Sequence, residues 1–290
     1  MLEIAQHEPS DIELFGRPFR IDDLDSLNLR SGQGFENEEL AFVQKFVMPD
    51  DTCIDIGANI GLFTVALARA AGTGGRVYSF EPDPDNFAIL QHNALTWRDT
   101  SDVRTFRLAC GGANEISTLH RSTENRGMHR LYESPCCRGE RVEVQTVIVD
   151  EIVEQIVRLV KIDIEGYEPF AVHGLAEIIR RSPQIGILTE FSPLSMMDAG
   201  SSATTYLKTL LDFGLLPHRI QGNDLTPLDV GELQSNCAAL DSGDFASMRA
   251  RCFGLDSAGI FAVASSFAEQ LGFRGSIIEN LFFARENISL

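Results

Sequence analysis

The sequence contains no apolar run long enough to cross a membrane. Its longest apolar stretches, such as residues 64–71 and 185–188, fall well short of the roughly 20 residues that a spanning helix needs. The first residues, MLEIAQHEPSDIE, are acidic, whereas a secretory signal is basic and then apolar. We therefore expect a cytoplasmic protein that does not associate with a membrane.

Cysteine spacings typical of metal or disulfide frameworks are also missing. The six cysteines include no C-x-x-C pair, and six is few for a disulfide scaffold in a chain of 290 residues. The adjacent Cys136 and Cys137 have no nearby His or Cys at zinc-ligand spacing. We expect reduced thiols, and no metal bound at this pair.

Basic residues are scarce, because 24 Lys and Arg stand against 42 Asp and Glu, a formal net charge of −18. Binding to a nucleic-acid backbone depends on Lys and Arg that neutralise phosphates. The basic concentration at residues 121–141 is interrupted by Glu124, Glu133 and Glu140, which predicts a solvated loop. This balance argues against nucleic acid and favours a small-molecule or carbohydrate-like substrate.

What the chain does contain is an alternation of strand and helix patterns, without a linker or an internal repeat. Residues 11–22 have the pattern of a hairpin around Gly16, and residues 36–47 carry apolar side chains at helical spacing. We expect residues 1–50 to form a hairpin and helix cover, and residues 51–290 to form one α/β domain.

Strands and helices alternate in the main domain as in a doubly wound, Rossmann-like fold with a parallel sheet. Strands are predicted at residues 52–56, 76–80, 103–108, 158–162, 185–189, 215–220 and 277–284. Helices are predicted at residues 60–71, 84–95, 149–156, 168–181 and 204–213. Two extra strands, 116–120 and 142–147, flank the polar loop 121–140 within an insertion at 112–147, and segment 221–275 is weakly patterned and variable.

The first strand leads into the turn Asp55-Ile56-Gly57-Ala58-Asn59-Ile60-Gly61, at the edge of the sheet where such folds bind ligands. Glycines let the backbone approach a ligand, and Gly57 can adopt the positive φ of a sharp turn. Glu81 ends the second strand, where a carboxylate can accept hydrogen bonds from both ribose hydroxyls. Tight strand–helix packing alone is the alternative for the glycines, but with Glu81 the pattern favours a nucleoside cofactor.

A nicotinamide dinucleotide enzyme would share these features, but the turn departs from G-x-G-x-x-G. Asn59 and Leu62 occupy the second and third glycine positions, and a bulky Leu62 disfavours a bound pyrophosphate. S-adenosylmethionine has no phosphate and carries a sulfonium and an ammonium. Opposite charges about 4 Å apart in a partly dry site attract by roughly 4 kcal/mol before desolvation, so Asp55 suits this cation.

Three motifs, in this order, resemble the FkbM family of methyltransferases: IDIGANIGLFT at residues 54–64, FEPDPDNFAIL at 80–90 and VKIDIEGYE at 160–168. GFENEE at 34–39 and ENLFFARE at 279–286 extend the resemblance to about residues 34–220 and the last strand. It implies a class I methyltransferase fold, a mostly parallel seven-stranded sheet with an antiparallel last strand. It also implies S-adenosylmethionine as cofactor and, commonly, O-methylation of a hydroxyl on a natural product, sugar or related metabolite.

The resemblance also implies the cofactor contacts. It places Asp55, Gly57, Ala58, Asn59 and Gly61 at the methionine end, Glu81 on the ribose, Asp83 and Asn86 beside the adenosine, Cys110 near the adenine and Glu36 near the ammonium. Cys110 is equally compatible with core packing. A Glu such as Glu36 is also favoured in the first turn of a helix by the dipole alone.

Acidic residues at two strand ends are candidates for the reaction centre. Alternation along KIDIEG sends Lys161, Asp163 and Glu165 to one face, and Glu190 ends the next strand. Asp163 or Glu165 is the candidate base for the acceptor hydroxyl, an effect worth about 10²- to 10⁴-fold. The three acids could instead hold a divalent cation, which we do not favour, or serve the structure, with Glu165 paired to Lys161.

We therefore predict an S-adenosylmethionine-dependent enzyme that methylates a small-molecule hydroxyl by in-line transfer. The alternatives are N-methylation of a small molecule or peptide, a nicotinamide-dependent oxidoreductase, and a non-catalytic cofactor-binding module. Asn59 and Leu62 argue against the oxidoreductase, and the acid cluster argues against the module. Acceptor specificity is expected in the N-terminal cover, loop 121–140 and segment 221–275.

Overall fold

The computed structural model describes residues 10–32, 34–222 and 224–288. In these residues the strands are β1 (Ser10–Leu14), β2 (Arg17–Ile21), β3 (Thr52–Ile56), β4 (Arg76–Phe80), β5 (Asp102–Phe106), β6 (Ala109–Cys110), β7 (Glu115–His120), β8 (Arg141–Val147), β9 (Leu159–Ile162), β10 (Gly186–Phe191), β11 (Leu216–Gln221), β12 (Asp224–Pro227) and β13 (Glu279–Ala284). The α-helices are α1 (Asn37–Phe46), α2 (Leu62–Ala71), α3 (Pro84–Leu95), α4 (Glu168–Ala171), α5 (Ala176–Arg181), α6 (Pro193–Asp198), α7 (Ala203–Asp212), α8 (Val230–Asp241), α9 (Phe245–Cys252) and α10 (Ser257–Gln270). None of these helices is long and apolar enough to span a bilayer.

The central sheet has the strand order β12-β11-β13-β10-β9-β3-β4-β5 in the described part of the chain. The five strands from β5 to β10 in this order are parallel neighbours, whereas β13 lies antiparallel between β10 and β11. The predicted Rossmann-like, mostly parallel sheet with an antiparallel last strand is confirmed. β12 adds one further edge strand, antiparallel to β11, at the start of the segment that was predicted to be variable.

The order of strands reverses at β3, which pairs with β4 on one side and β9 on the other. A crevice therefore forms at the carboxyl ends of β3 and β9, where doubly wound sheets bind their ligands. Along β3, Ile54 and Ile56 join the core that contains α5 and α7, and Cys53 joins the core that contains α1 and α2. Burial on both faces explains why these strands read as nearly continuous apolar runs.

Two predicted helices differ from the structure. The predicted helix at residues 149–156 is wrong, because only Val149–Glu151 forms a single 3-10 turn. Asp150 instead accepts hydrogen bonds from the amides of Glu177 and Ile178 at the start of α5, which holds this stretch in place. The helix predicted at 168–181 is divided into α4 and α5 by a 3-10 segment, where Gly174 packs against the Gly111 backbone too closely for a Cβ.

The two long additions to the sheet have structures of their own. In the insertion, β6, β8 and β7 form a small sheet, and a bridge between His120 and Arg130 folds the following loop back on it. Segment 221–275 contains α8, α9 and α10, whose N-terminal amides are capped by Asp229, Asp244 and Asp256. These helices enclose a separate apolar cluster. The segment is therefore regularly folded, although its sequence pattern did not predict helices.

Candidate active site

The turn after β3 brings the ends of three strands together. Gly57 and Ala58 donate their amides to the carbonyl oxygen of Phe80 at 3.0 and 2.9 Å. Gly57 has a φ of +80°, and a Cβ at this position would overlap the carbonyl oxygen of Asp163 at the end of β9. Glycine is required here for both reasons, the left-handed conformation and the close approach.

Glu81 is fixed beside this turn by two backbone amides. Its Oε2 accepts from the amide of Asn59 at 2.8 Å, and its Oε1 accepts from the amide of Asp83 at 2.9 Å. Burial raises the pKa of Glu81 to about 8, although these two hydrogen bonds oppose the rise. Each oxygen keeps a second lone pair, so the carboxyl group can also accept from a ligand hydroxyl.

Asp83 and Asn86 have different positions at the start of α3. The Oδ1 atom of Asp83 accepts from the amides of Asp85 and Asn86, and its Oδ2 accepts from Arg121 Nε at 2.6 Å. Asp83 therefore caps α3 and binds Arg121 of the insertion. Asn86 donates from Nδ2 to the carbonyl oxygen of Arg126 at 3.0 Å and faces the crevice.

A cavity of about 260 Å³ lies at the carboxyl ends of β3, β4 and β9. The predicted site residues that line it are Gly57, Ala58, Asn59, Glu81, Asn86, Cys110, Asp163 and Glu165. The predicted site residues that do not line it are Glu36, Asp55, Gly61, Asp83 and Glu190. Cys110 also packs in the core beside Phe80, so both interpretations of this residue describe part of its surroundings.

Asp55 and Glu36 surround the buried Lys161. Asp55 is fully buried and accepts from Thr64 Oγ1 at 2.6 Å, and Glu36 accepts from Asn280 Nδ2 at 3.1 Å. Burial raises the pKa of Glu36 to about 7, while the charge of Lys161 opposes the rise. Burial alone would lower the pKa of Lys161, but its acidic neighbours outweigh burial and raise it. The ammonium of Lys161 therefore stays charged.

Several buried acceptors around the cavity have no hydrogen-bond partner among the described residues. They are Asn59 Oδ1, Asn86 Oδ1, Asp55 Oδ1 and Glu36 Oε2. An unpaired buried acceptor costs about 1–3 kcal/mol, so Asn59 Oδ1 and Asn86 Oδ1, which belong to cavity-lining residues, call for a ligand with N–H or O–H donors. S-adenosylmethionine has such donors in its ammonium, ribose hydroxyls and adenine amine, and the residues around the cavity therefore fit it.

Asp163, Glu165 and Glu190 converge beside the cavity, with one carboxylate oxygen of each within 4.8 Å of the others. Lys161 Nζ donates to Asp163 Oδ2 at 2.8 Å, and Arg130 Nη2 donates to Glu165 Oε2 at 2.9 Å. The alternative pairing of Glu165 with Lys161 is therefore wrong. Glu165 has a φ of +58°, which ends the strand alternation on which that pairing depended.

The electrostatics of this cluster place a titration near neutral pH. Burial raises the pKa of Glu165 to about 7, although Arg130 opposes the rise. Burial, followed by repulsion from Glu165 and Asp163, also raises the pKa of Glu190. The Oε2 atom of Glu190 has no partner within the part of the chain that the structure describes. The cluster can therefore bind and release a proton at physiological pH.

Sequence reasoning missed Arg130 and Tyr132, which reach the acid cluster from the insertion. Arg130 is 9% exposed and also donates to Ser134 Oγ at 3.2 Å. The hydroxyl of Tyr132 donates to the backbone carbonyl of Glu165. The basic character of residues 121–141 was the available signal, but it predicted a solvated loop. His129 also lines the cavity. Its Nδ1 already accepts a hydrogen bond from the amide of Ser122 at 3.0 Å.

The doubly wound sheet, the glycine turn and the acidic cavity define a class I methyltransferase domain. Residues 55–214, more than half of the chain, match the methyltransferase FkbM domain family. The chain therefore belongs to the FkbM family of S-adenosylmethionine-dependent methyltransferases. The predicted family, enzyme class and cofactor are confirmed.

Two curated proteins are similar to part of the chain. The hexuronic acid methyltransferase AglP of Haloferax volcanii is 27% identical over 135 residues, which are 45% of this chain and 52% of that protein. The catalytic subunit of a tRNA (adenine(58)-N(1))-methyltransferase of Yarrowia lipolytica is 29% identical over 73 residues, which are 25% of this chain and 19% of that protein. The chain thus spans about half the length of the first relative and about a fifth of the second.

Two solved methyltransferase structures are similar to part of the chain. Methyltransferase FkbM from Methylobacillus flagellatus KT has 19% sequence identity and a TM-score of 0.38, over 61% of this chain and 40% of that chain. An O-methyltransferase from Bacillus cereus, determined in complex with SAH, has 13% identity and a TM-score of 0.42, over 70% of this chain and 85% of that chain.

Proposed function

We propose that the protein transfers the methyl group of S-adenosylmethionine to a hydroxyl oxygen of a small-molecule acceptor. The observation that carries this proposal is the convergence of Asp163, Glu165 and Glu190 beside the cavity that Gly57 and Glu81 line. S-adenosylmethionine supplies a methyl carbon that is activated by its sulfonium. The residues of the chain must then hold the acceptor oxygen in line and take its proton.

We assign the cofactor to the residues of the glycine-turn cavity. Gly57, Ala58 and Asn59 would contact its methionine end, and Glu81 would accept from the ribose hydroxyls. Asn86 and Cys110 would border the adenosine. The other predicted residues lie outside the lining and stabilise the cavity from there. Asp83 caps α3, and Gly61, with a φ of +97°, precedes the first residue of α2. Asp55 and Glu36 place acidic groups near the turn.

We assign the general base to Glu165. Its pKa of about 7 suits a group that must be ionised at neutral pH and still be basic enough to accept a proton. The Glu165 carboxylate would take the proton of the acceptor hydroxyl as the hydroxyl oxygen gains the methyl group, while the carbon–sulfur bond breaks and S-adenosylhomocysteine leaves. Asp163 is held by Lys161, and Glu190, whose unpaired oxygen is buried outside the cavity lining, completes the acid cluster.

We propose that this reaction needs no divalent cation. The three acids have the spacing of a metal site, but Lys161 and Arg130 already donate to two of them. A divalent cation placed among the three oxygens would be repelled by both of these charged groups. The paired acids are better suited to accept a proton than to coordinate a metal.

N-terminal residues cover the cofactor cavity. Ser26, Leu27 and Phe35 line the cavity, and Asn93 Nδ2 donates to the carbonyl oxygen of Arg20 at 2.8 Å. We therefore keep the division into a cover at residues 1–50 and a methyltransferase domain at residues 51–290, of which residues 1–9, 33, 223 and 289–290 lie outside the described residues. The net charge of −18 supports a small-molecule acceptor over nucleic acid.

Calorimetric titration with S-adenosylhomocysteine, beside NADH, tests the cofactor assignment. Micromolar binding of S-adenosylhomocysteine alone is expected. A screen of hydroxylated acceptors, assayed with EDTA and then with Mg²⁺, tests the reaction, and product mass spectrometry locates the methyl group on oxygen or nitrogen. Binding of NADH alone would overturn the proposal, and activity only with Mg²⁺ would overturn its metal-independent form.

A further inference from the structure

A second cavity, of about 120 Å³, lies between the insertion and the helices of segment 221–275. Its apolar wall is formed mainly by Phe245, Met248, Ile260, Phe261, Ala264 and Ile277. Nothing in the proposed reaction so far uses this space. Loop 121–140 and segment 221–275, which enclose it, are two of the three regions in which the sequence predicts acceptor specificity.

The charged side chains at this second cavity already form ion pairs or hydrogen bonds, and of the Arg130 nitrogens only Nε is buried without a partner among the described residues. Asp198 accepts from Ser134 Oγ at 2.6 Å and from Arg249 Nε, and Arg130 Nη1 lies 3.9 Å from it. Arg249 also donates to the backbone carbonyl of Glu133. An occupant therefore gains little from a charge of its own, and the exposed apolar wall favours a hydrocarbon body.

The second cavity adjoins the cofactor cavity at two residues of the insertion. Met128 lines both cavities. Arg130 lines the second cavity and donates to Glu165, which lines the first. An acceptor hydroxyl beside Glu165 therefore lies next to this apolar space, across Met128 and the Arg130–Glu165 pair.

We propose that this second cavity is the acceptor subsite, and that the acceptor is an uncharged alcohol or phenol with an apolar body. The proposal rests on the proposed methyl transfer to a hydroxyl. A sugar acid fits poorly in either orientation. Its carboxylate would be repelled by Asp163, Glu165 and Glu190 if it lay beside the cofactor cavity, and it would lie against an apolar wall if it entered the second cavity. The acceptor class thus differs from the hexuronic acid named for the Haloferax relative.

Calorimetric titration with a series of neutral 4-alkylphenols, from 4-ethylphenol to 4-butylphenol, tests the subsite in the presence of saturating S-adenosylhomocysteine. Each added methylene is expected to tighten binding about threefold to fourfold, as apolar burial predicts. Glucuronic acid, titrated in the same way, is expected not to bind. Equal affinities along the series, or tighter binding of glucuronic acid, would overturn the proposal.

Two matched variants locate the binding. Phe261→Ser removes an apolar side chain, 50% exposed, from the second cavity, and Phe253→Ser removes one that is 53% exposed but does not line it. Phe261→Ser is expected to weaken 4-butylphenol binding about tenfold, whereas Phe253→Ser is expected to leave it unchanged. Both variants are expected to keep the affinity for S-adenosylhomocysteine. Equal effects of the two variants, with cofactor binding intact, would overturn the subsite alone. Absence of S-adenosylhomocysteine binding to the unmodified protein would overturn the proposed function, and the subsite with it.

Discussion

Arg130 donates from Nη2 to Glu165 Oε2 at 2.9 Å, and this ion pair joins the insertion to the turn after β9. The two side chains are only 10% and 18% exposed. Because Tyr132 also donates to the Glu165 backbone, the insertion fixes both the position and the proton affinity of this carboxylate. The acid cluster therefore depends on a segment that lies outside the central sheet.

Replacing Arg130 tests this dependence. Arg130→Met leaves Glu165 buried with Asp163 and Glu190 and without its cation, so we expect a loss of about 3–5 kcal/mol in the free energy of unfolding. Arg141→Met is the matched control, because Arg141 pairs with Glu133 at 3.9 Å while both side chains are more than 60% exposed. For this surface pair we expect a loss of about 1 kcal/mol or less by urea denaturation. Similar losses in the two variants would contradict the role of Arg130.

Glu165→Gln tests the assignment of the base. In the unmodified protein the rate of methyl transfer should rise with pH through about 7, because the base must be deprotonated and the pKa of Glu165 is about 7. The variant should lose about 10²- to 10⁴-fold in rate and lose this limb of the profile, with S-adenosylhomocysteine affinity unchanged. Glu154→Gln, on an exposed residue, should behave as the unmodified protein. If Glu165→Gln kept the full rate and the same rise of rate with pH, Asp163 and not Glu165 would be the candidate base.

The sequence predicted the sheet well because its signals are local. β3, β4 and α3 occupy the predicted residues, since Pro84 begins the helix and strands that are buried on both faces stand out as apolar runs. The helices of segment 221–275 lack a clear apolar stripe. Their capping residues Asp229, Asp244 and Asp256 were the signal that could have located them.

The candidate site could be predicted only in part, for a different reason. The glycine turn and Glu81 belong to motifs that are short in sequence, and the structure brings them together at one cavity. The pair of Arg130 and Glu165 joins residues that are 35 positions apart, so no local pattern reveals it. The positive φ of Glu165 also breaks the alternation from which its partner was inferred.

Cofactor binding should be linked to the proton on Glu81. The free carboxyl group has a pKa of about 8, whereas accepting two ribose hydroxyls favours the ionised form and so lowers this pKa. We expect S-adenosylhomocysteine binding at pH 7 to release a proton and to tighten as the pH rises toward 8. Calorimetry in two buffers of different ionisation enthalpy measures this proton. Glu81→Gln should release none and bind about 10- to 100-fold more weakly. Binding that is independent of pH would contradict the ribose contact.

Four buried carboxyl groups should make stability fall at alkaline pH. The pKa is raised from 4.5 to about 7 in Glu36 and Glu165, and to about 8 in Glu81 and Glu168, in each case mainly by burial. Groups with a raised pKa stabilise the fold below pH 4.5 and lose this contribution as the pH rises to about 8. Between pH 7.0 and 8.5 we expect the free energy of unfolding to fall by about 1–3 kcal/mol. Urea denaturation without cofactor measures this fall. The free energy of unfolding should decrease less steeply with pH in Glu81→Gln. A rise in stability over this range would contradict the burial of these groups.

Gly57 should tolerate no side chain, because the turn and the end of β9 meet at its Cα. Gly57→Ala combines a φ of +80° with an overlap between the new Cβ and the carbonyl oxygen of Asp163. Gly32→Ala is the matched control, since Gly32 has a φ of +69° in the left-handed region but open space around its Cα. We expect the control to cost about 1 kcal/mol in the free energy of unfolding, the price of the left-handed conformation alone. Gly57→Ala should cost several times more and abolish S-adenosylhomocysteine binding, because Asp163 and the turn must move apart. Equal costs would show that the strand ends are not held together as the structure describes.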